Sequence, residues 1–75
     1  MAVRVRYFAS LRERKAVDEE DVELLPGETL GALYARLFPG DRVPVAYARN
    51  RQTASAGDAV CDGDEIVFLP PIGGG

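Results

Sequence analysis

The residues best suited to do chemistry lie at the carboxyl end. Gly73-Gly74-Gly75 directly follows a strand-like run and two prolines, Ile66-Val67-Phe68-Leu69-Pro70-Pro71-Ile72. Glycine has no Cβ, so such a tail is slim and reaches backbone angles closed to other residues. It can thread a narrow tunnel and deliver a terminal carboxylate to a buried reagent. Pro70 and Pro71 fix φ and donate no backbone hydrogen bond, so a sheet should end there and residues 70–75 should project from it. The plain alternative is a frayed chain end or an appended scar, and the triplet alone does not decide between them.

Other catalytic equipment is scarce. The sequence has no histidine, which removes Ser–His and Cys–His catalysis and the usual zinc chemistry. Its one cysteine, Cys61, cannot form an internal disulfide and reads as a small, partly buried thiol rather than a nucleophile. Asp58, Asp62, Asp64 and Glu65 cluster in the chain, yet the twelve-residue EF-hand loop and its flanking helices are missing. A solvated acidic hairpin is the expectation. Arg12, Arg14 and Lys15, with Arg36, Arg42, Arg49 and Arg51, read as solvating charge or as a basic patch whose grouping the sequence leaves open.

Size and charge narrow the function further. At 75 residues one domain spanning 1–75 is expected, and such a chain buries only about 60% of its unfolded surface, with little room for a substrate pocket. An apolar fraction of 47% argues against disorder. A net charge of −3 argues against nucleic acid as the main partner. No apolar run approaches the roughly 20 residues of a membrane span, and no signal peptide is seen, so no membrane partner and a cytoplasmic location are expected.

The elements that must position the tail follow from periodicity. Val3, Val5, Tyr7 and Ala9 alternate with Arg4, Arg6 and Phe8, which predicts a first strand with one buried face. Residues 10–16 read as a polar turn or short helix. In the acidic stretch 18–25 the second half suits a strand whose charges discourage edge pairing, and Pro26-Gly27 breaks it. Thr29 suits an N-cap for a helix with Leu30, Leu33, Tyr34, Leu37 and Phe38 on one stripe, ended by Pro39-Gly40. Gly31 inside it costs about 1 kcal/mol against alanine, which tight packing on a sheet would offset. Residues 45–49 suit a strand, Asn50-Arg51 a turn, and Ala59-Val60 a short strand. Asp62-Gly63 turns into the last strand, 65–69.

That last strand is apolar on both faces. With Ile66 and Phe68 inward, Val67 and Leu69 face out, and Phe8 is the odd aromatic on an arginine-lined face. An exposed apolar patch on so small a protein marks a partner surface, unless residues 52–61 cover it.

Two segments carry a resemblance. Asp62-Gly63-Asp64-Glu65-Ile66-Val67-Phe68-Leu69-Pro70-Pro71 before Gly74-Gly75, and Val5-Arg6-Tyr7-Phe8-Ala9-Ser10-Leu11-Arg12-Glu13, resemble the MoaD-like small subunits of molybdopterin synthase. These belong to the MoaD/ThiS ubiquitin-like superfamily. The Pro70-Pro71 pair favours this group over the related thiazole sulfur carriers, whereas Gly73 stands where many members carry a side chain. The resemblance covers essentially the whole chain. It implies an α+β, β-grasp fold: a mixed four- to five-stranded sheet on one main helix, with a flexible C-terminal glycine tail.

It also implies a sulfur carrier in molybdenum cofactor biosynthesis that is itself a non-catalytic subunit. An ATP-dependent, ubiquitin-activating-type enzyme would adenylate Gly75, and a sulfur donor protein would convert it to a thiocarboxylate. That group would enter the large synthase subunit and give sulfur to a cyclic pterin precursor. Gly73 and Gly74 would let the tail pass, while Phe8, Val67, Leu69, Pro70, Pro71 and Ile72 would meet the partners. No bound cofactor or metal is implied; ATP is used by the activating enzyme. The alternatives are a carrier for thiazole, cysteine or tRNA thiolation, a ubiquitin-like modifier joined through Gly75 to a target lysine, or an interaction domain with an inert tail.

Overall fold

A computed structural model describes residues 1–40 and 46–69. Arg42, Val45, the two prolines Pro70 and Pro71, Ile72 and the glycines Gly73, Gly74 and Gly75 lie outside the described residues, as does the side chain of Ala9. The chain runs β1 (Ala2–Tyr7), α1 (Ala9–Lys15), β2 (Glu19–Glu23), α2 (Leu30–Leu37), β3 (Ala46–Arg49), β4 (Gln52–Ala54) and β5 (Glu65–Leu69). The strands form one sheet in the order β2-β1-β5-β3-β4. β1 and β5 pair in parallel, and every other pair is antiparallel. With α2 packed on one face, this is the β-grasp arrangement.

The core follows from two periodicities that meet. Val3, Val5 and Tyr7 of β1 and Ile66 and Phe68 of β5 alternate onto the inner face and are essentially fully buried. Leu30, Leu33, Tyr34 and Phe38 cover them from the stripe of α2. Tyr34 stacks on Phe38 at 4.9 Å between ring centroids and meets Phe68 edge-on at 5.1 Å. Thr29 caps α2 as its sequence suggests, its hydroxyl accepting from the Ala32 N–H at 3.2 Å.

Two polar groups enter this interior with partners. Glu28 is 6% exposed, and Arg36, two turns further on, donates to both of its oxygens from Nε (2.8 Å) and Nη2 (2.9 Å). Arg36 Nη2 also donates to the Glu23 carbonyl, and the Leu25 N–H donates to Glu28 Oε1. These bonds to Arg36 hold the Glu28 carboxyl below its usual range, although burial works against them. Tyr7 donates its hydroxyl to Glu20 at 2.6 Å. Burial first, and that bond second, push the Tyr7 phenol well above its ordinary value.

Several sequence expectations need correction. β1 stops at Tyr7; Phe8 is extended but serves as the N-cap of α1, and residue 9 is already helical. β2 begins at Glu19, earlier than apolar content suggests, because its partner β1 supplies the apolar face. Instead of a strand at Ala59-Val60 there is a single bridge from Thr29 to Ala59, and the strand lies at Gln52–Ala54. Asn50 (φ 52°) and Arg51 (φ 70°) form the tight turn that fixes it. Gly31 packs not on the sheet but on the 52–61 segment. A Cβ there would sit 3.1 Å from the Ala56 Cβ and 3.2 Å from its carbonyl oxygen. Cys61 is exposed rather than partly buried.

Candidate functional site

The outer face of the sheet is the face that α2 leaves uncovered. Its side chains follow from the register. Across β1 and β5, Arg4 lies level with Glu65 and Arg6 with Val67. Across β5 and β3, Val67 lies level with Ala48 and Leu69 with Ala46. Phe8 continues the extended backbone of β1 (φ −130°, ψ 155°), one step beyond the Tyr7–Phe68 pair, and so stands level with Leu69. Phe8, Leu69 and Ala46 therefore form a row across the end of the sheet at which β5 stops. Val67 and Ala48 form a second row behind it.

Exposure agrees with that layout. Phe8 is 40% exposed and Leu69 37%, while Ile66 and Phe68 between them are wholly buried. Val67 and Ala48 are half-buried. The expected assignment of Ile66 and Phe68 inward and Val67 and Leu69 outward matches the structure. The 52–61 segment leaves the patch open, because it runs to the helix side, where the Ala56 carbonyl accepts from the Gly31 N–H and the Asp58 carbonyl from the Leu30 N–H. The Arg6 guanidinium carbon lies 5.9 Å from the Phe8 ring centroid, at the boundary between the apolar rows and the charged part of the face.

Chain length sets what this end can deliver. Gly75 lies six residues beyond Leu69, and six extended residues span at most about 20 Å. The segment after the row is thus long enough to carry Gly75 up to that distance from it. The tail residues and prolines singled out from sequence fall outside the described set, so the structure brings together Phe8, Val67 and Leu69 from the expected contacts. Ala46 and Ala48 complete the patch. Sequence reading passed over them because alanine carries no apolar signal of its own; the β3–β5 register gives them their place.

The acidic cluster builds turns. Asp62 accepts from the Ala2 N–H at 2.8 Å, Asp64 from the Cys61 N–H and the Asn50 amide, and Asp58 from the Ser55 N–H. Asp62-Gly63 closes a loop rather than a hairpin, with Gly63 at φ +85°. Among the described residues no group of three or more His, Cys, Asp or Glu side chains could hold a metal ion. No helix among them is long and apolar enough to cross a membrane.

Comparison with known proteins places this geometry. Residues 5–75 match the ThiS family. The chain is 34% identical over 83 aligned positions to the molybdopterin synthase sulfur carrier subunit of Chlamydomonas reinhardtii, covering 100% of both chains. A Pyrococcus furiosus protein assigned as molybdopterin converting factor subunit 1 superposes with a TM-score of 0.79 at 28% identity, over 96% of this chain and 99% of that one. The complex of subunits 1 and 2 of the molybdopterin-converting factor from Helicobacter pylori contains a chain matching with a TM-score of 0.60 at 25% identity, over the full length of both. This chain, with its β-grasp sheet ending in an apolar row ahead of a glycine terminus, belongs to the ThiS family.

Proposed function

We propose that this chain is the sulfur carrier subunit of a molybdopterin synthase. The observation that carries the reading is the apolar row at the end of β5, six residues before Gly75, in a chain akin throughout to a named sulfur carrier subunit. The row docks; the tail reacts. The Gly75 carboxylate attacks the α-phosphorus of ATP held by a ubiquitin-activating-type enzyme, and pyrophosphate leaves. The acyl-adenylate then loses AMP to hydrosulfide delivered by a donor protein, the new C–S bond replacing the C–O bond to AMP and leaving a terminal thiocarboxylate. In the large synthase subunit that group gives its sulfur to a cyclic pterin precursor.

Each residue has a part in this scheme. Gly73 and Gly74 keep the tail narrow, and Gly75 is the reacting terminus. Pro70 and Pro71 stiffen the launch point and lower the entropy lost on insertion. Phe8, Val67, Leu69 and Ile72 supply apolar contact with the partners. The chain holds no cofactor of its own, catalytic groups reside on the partners, and the reaction takes place in the cytoplasm.

The test is the intact mass of the protein before and after incubation with its host's activating enzyme, ATP and a sulfur donor. Exchange of one oxygen for sulfur at Gly75, reversed on adding large subunit and pterin precursor, is the expected result. Sulfur gained but retained with that acceptor assigns the carrier to another thiolation pathway. No ATP-dependent change with a demonstrably active enzyme makes the tail inert.

A further inference from the structure

We infer that the surface within reach of Gly75 is kept free of lysine amines, so that the activated terminus is not captured by the fold that carries it. This rests on the reading of Gly75 as a carboxylate activated with ATP. The first support is composition. Of the 9 lysines and arginines in the chain, Lys15 is the single lysine and the rest are arginines. Both residue types solvate a surface, but they differ as nucleophiles. A lysine amine that has shed its proton attacks an acyl-adenylate, whereas a guanidinium stays protonated and does not.

The second support is placement. Arg6 stands level with Val67 and Arg4 with Glu65, two and four residues before Leu69, and Arg51 reaches Glu65 at 3.8 Å. At about 3.3 Å per residue these positions lie within about 15 Å of the end of β5. That is inside the roughly 20 Å that six extended residues span. Lys15 is elsewhere. It is half-buried, and its ammonium sits 5.0 Å from the centroid of the Phe38 ring, which belongs to the core on the helix side of the sheet.

The third support is that ion pairing does not call for arginine on the outer face. Glu28 takes two nitrogens of Arg36, a fork that lysine lacks. Arg6 instead meets Glu19 at 3.7 Å and Glu65 at 3.9 Å, and Arg51 meets Glu65 at 3.8 Å, each through a single nitrogen–oxygen approach near solvent. A lysine ammonium makes such weak pairs as well.

A short tail holds its acyl group over the chain's own surface at a local concentration on the order of millimolar. In Arg6→Lys the neutral amine would attack the Gly75 carbonyl carbon. A C–N bond forms, the C–O bond to AMP breaks, AMP leaves with the electron pair, and the amine's proton passes to solvent. The product is an isopeptide, lighter by one water when it forms within one chain, with no carboxylate left to carry sulfur.

The experiment incubates full-length wild type, Arg6→Lys and Arg51→Lys with the host activating enzyme and ATP, with the sulfur donor withheld. Pyrophosphate exchange reads adenylation, and intact mass with peptide mapping reads capture. All three should exchange, and the two variants should accumulate about tenfold more isopeptide than wild type, mapped to the substituted position. Variants that exchange at the wild-type rate and gain no isopeptide overturn the inference and leave the carrier reading standing. Capture of wild type to the same extent, at Lys15 or any other amine, does the same. No exchange by wild type with a demonstrably active enzyme overturns both. Should Arg6→Lys unfold or exchange poorly, Arg51→Lys decides alone, because that side chain is 88% exposed.

Discussion

The two halves of the outer sheet face solve the problem of exposure in opposite ways. Towards the start of β1, the face is a grid of ion pairs. Arg4 reaches Glu19 and Asp21 at 3.1 Å, Arg6 reaches Glu19 and Glu65, and Arg51 reaches Glu65. Hydrogen bonding and attraction from Asp21, then Glu19, raise the Arg4 pKa. Towards the end of β5, the same face is Val67, Leu69, Phe8 and the small Ala46 and Ala48. The charged half is satisfied within the molecule and has nothing left to offer a partner beyond weak, screened attraction. The apolar half leaves Phe8 and Leu69 exposed. One face of the sheet therefore carries internally paired charge at one end and exposed apolar side chains at the other, the end at which β5 stops.

The sharpest way to break that comparison is to set neighbours on opposite faces against each other. Phe68→Ala should cost about 3–5 kcal/mol, from lost burial plus a cavity, and on a domain this small that approaches the whole stability. Urea unfolding followed by circular dichroism reads it directly. Leu69→Ser, one residue on, should leave the unfolding midpoint nearly unchanged; a similar collapse there would move Leu69 into the core.

Glu28→Gln comes next. It leaves Arg36 without its carboxylate and should cost about 2 kcal/mol, below the usual figure for a broken buried pair because Arg36 is partly solvated. It also carries a pH signature. The folded-state pKa of Glu28 lies below its unfolded value, so the stabilisation is complete at neutral pH and is lost as pH falls through the ordinary carboxylate range towards the folded value. The variant's stability should accordingly fall less on acidification than the wild type's. Equal acid sensitivity would remove this pair from the account.

Phe8→Ser should lower affinity for the large synthase subunit by about 10- to 30-fold, the loss of one central anchor, without changing the unfolding midpoint. The smallest effect belongs to the charged half. Glu19→Gln removes the carboxylate shared by Arg4 and Arg6, yet should alter neither partner binding nor, at high salt, thermal stability. A large loss of binding in Glu19→Gln would show that the grid is part of the interface.

Much of this contrast is legible in the sequence. The stripe of α2 with Thr29 at one end and Pro39-Gly40 at the other, and the alternation of β1 and β5, are strong periodic signals that tertiary packing only reinforces. What escaped had physical reasons. β4 is three residues long and paired on one edge, so it has no period to detect; the Asn50-Arg51 turn creates it. Nothing in the sequence pattern marks Glu28, because its burial depends on Arg36 eight positions later. Cys61 follows its type preference in sequence but sits in a turn closed by Asp64, where the thiol points to no core.

One feature of the sheet bears on how the protein is made. β5, the last strand among the described residues, lies between β1 and β3 and contributes Ile66 and Phe68 to the middle of the core. β1 can pair early with β2, but its other edge must wait for β5. During synthesis, residues 1–64 can form local helix and hairpin, but the central parallel pairing cannot close until β5 has left the ribosome. A chain cut short before Glu65 lacks both central core side chains of β5 and has no means to complete the sheet. Folding thus acts as an inspection of translation: a copy that has reached the native state has been translated at least through β5.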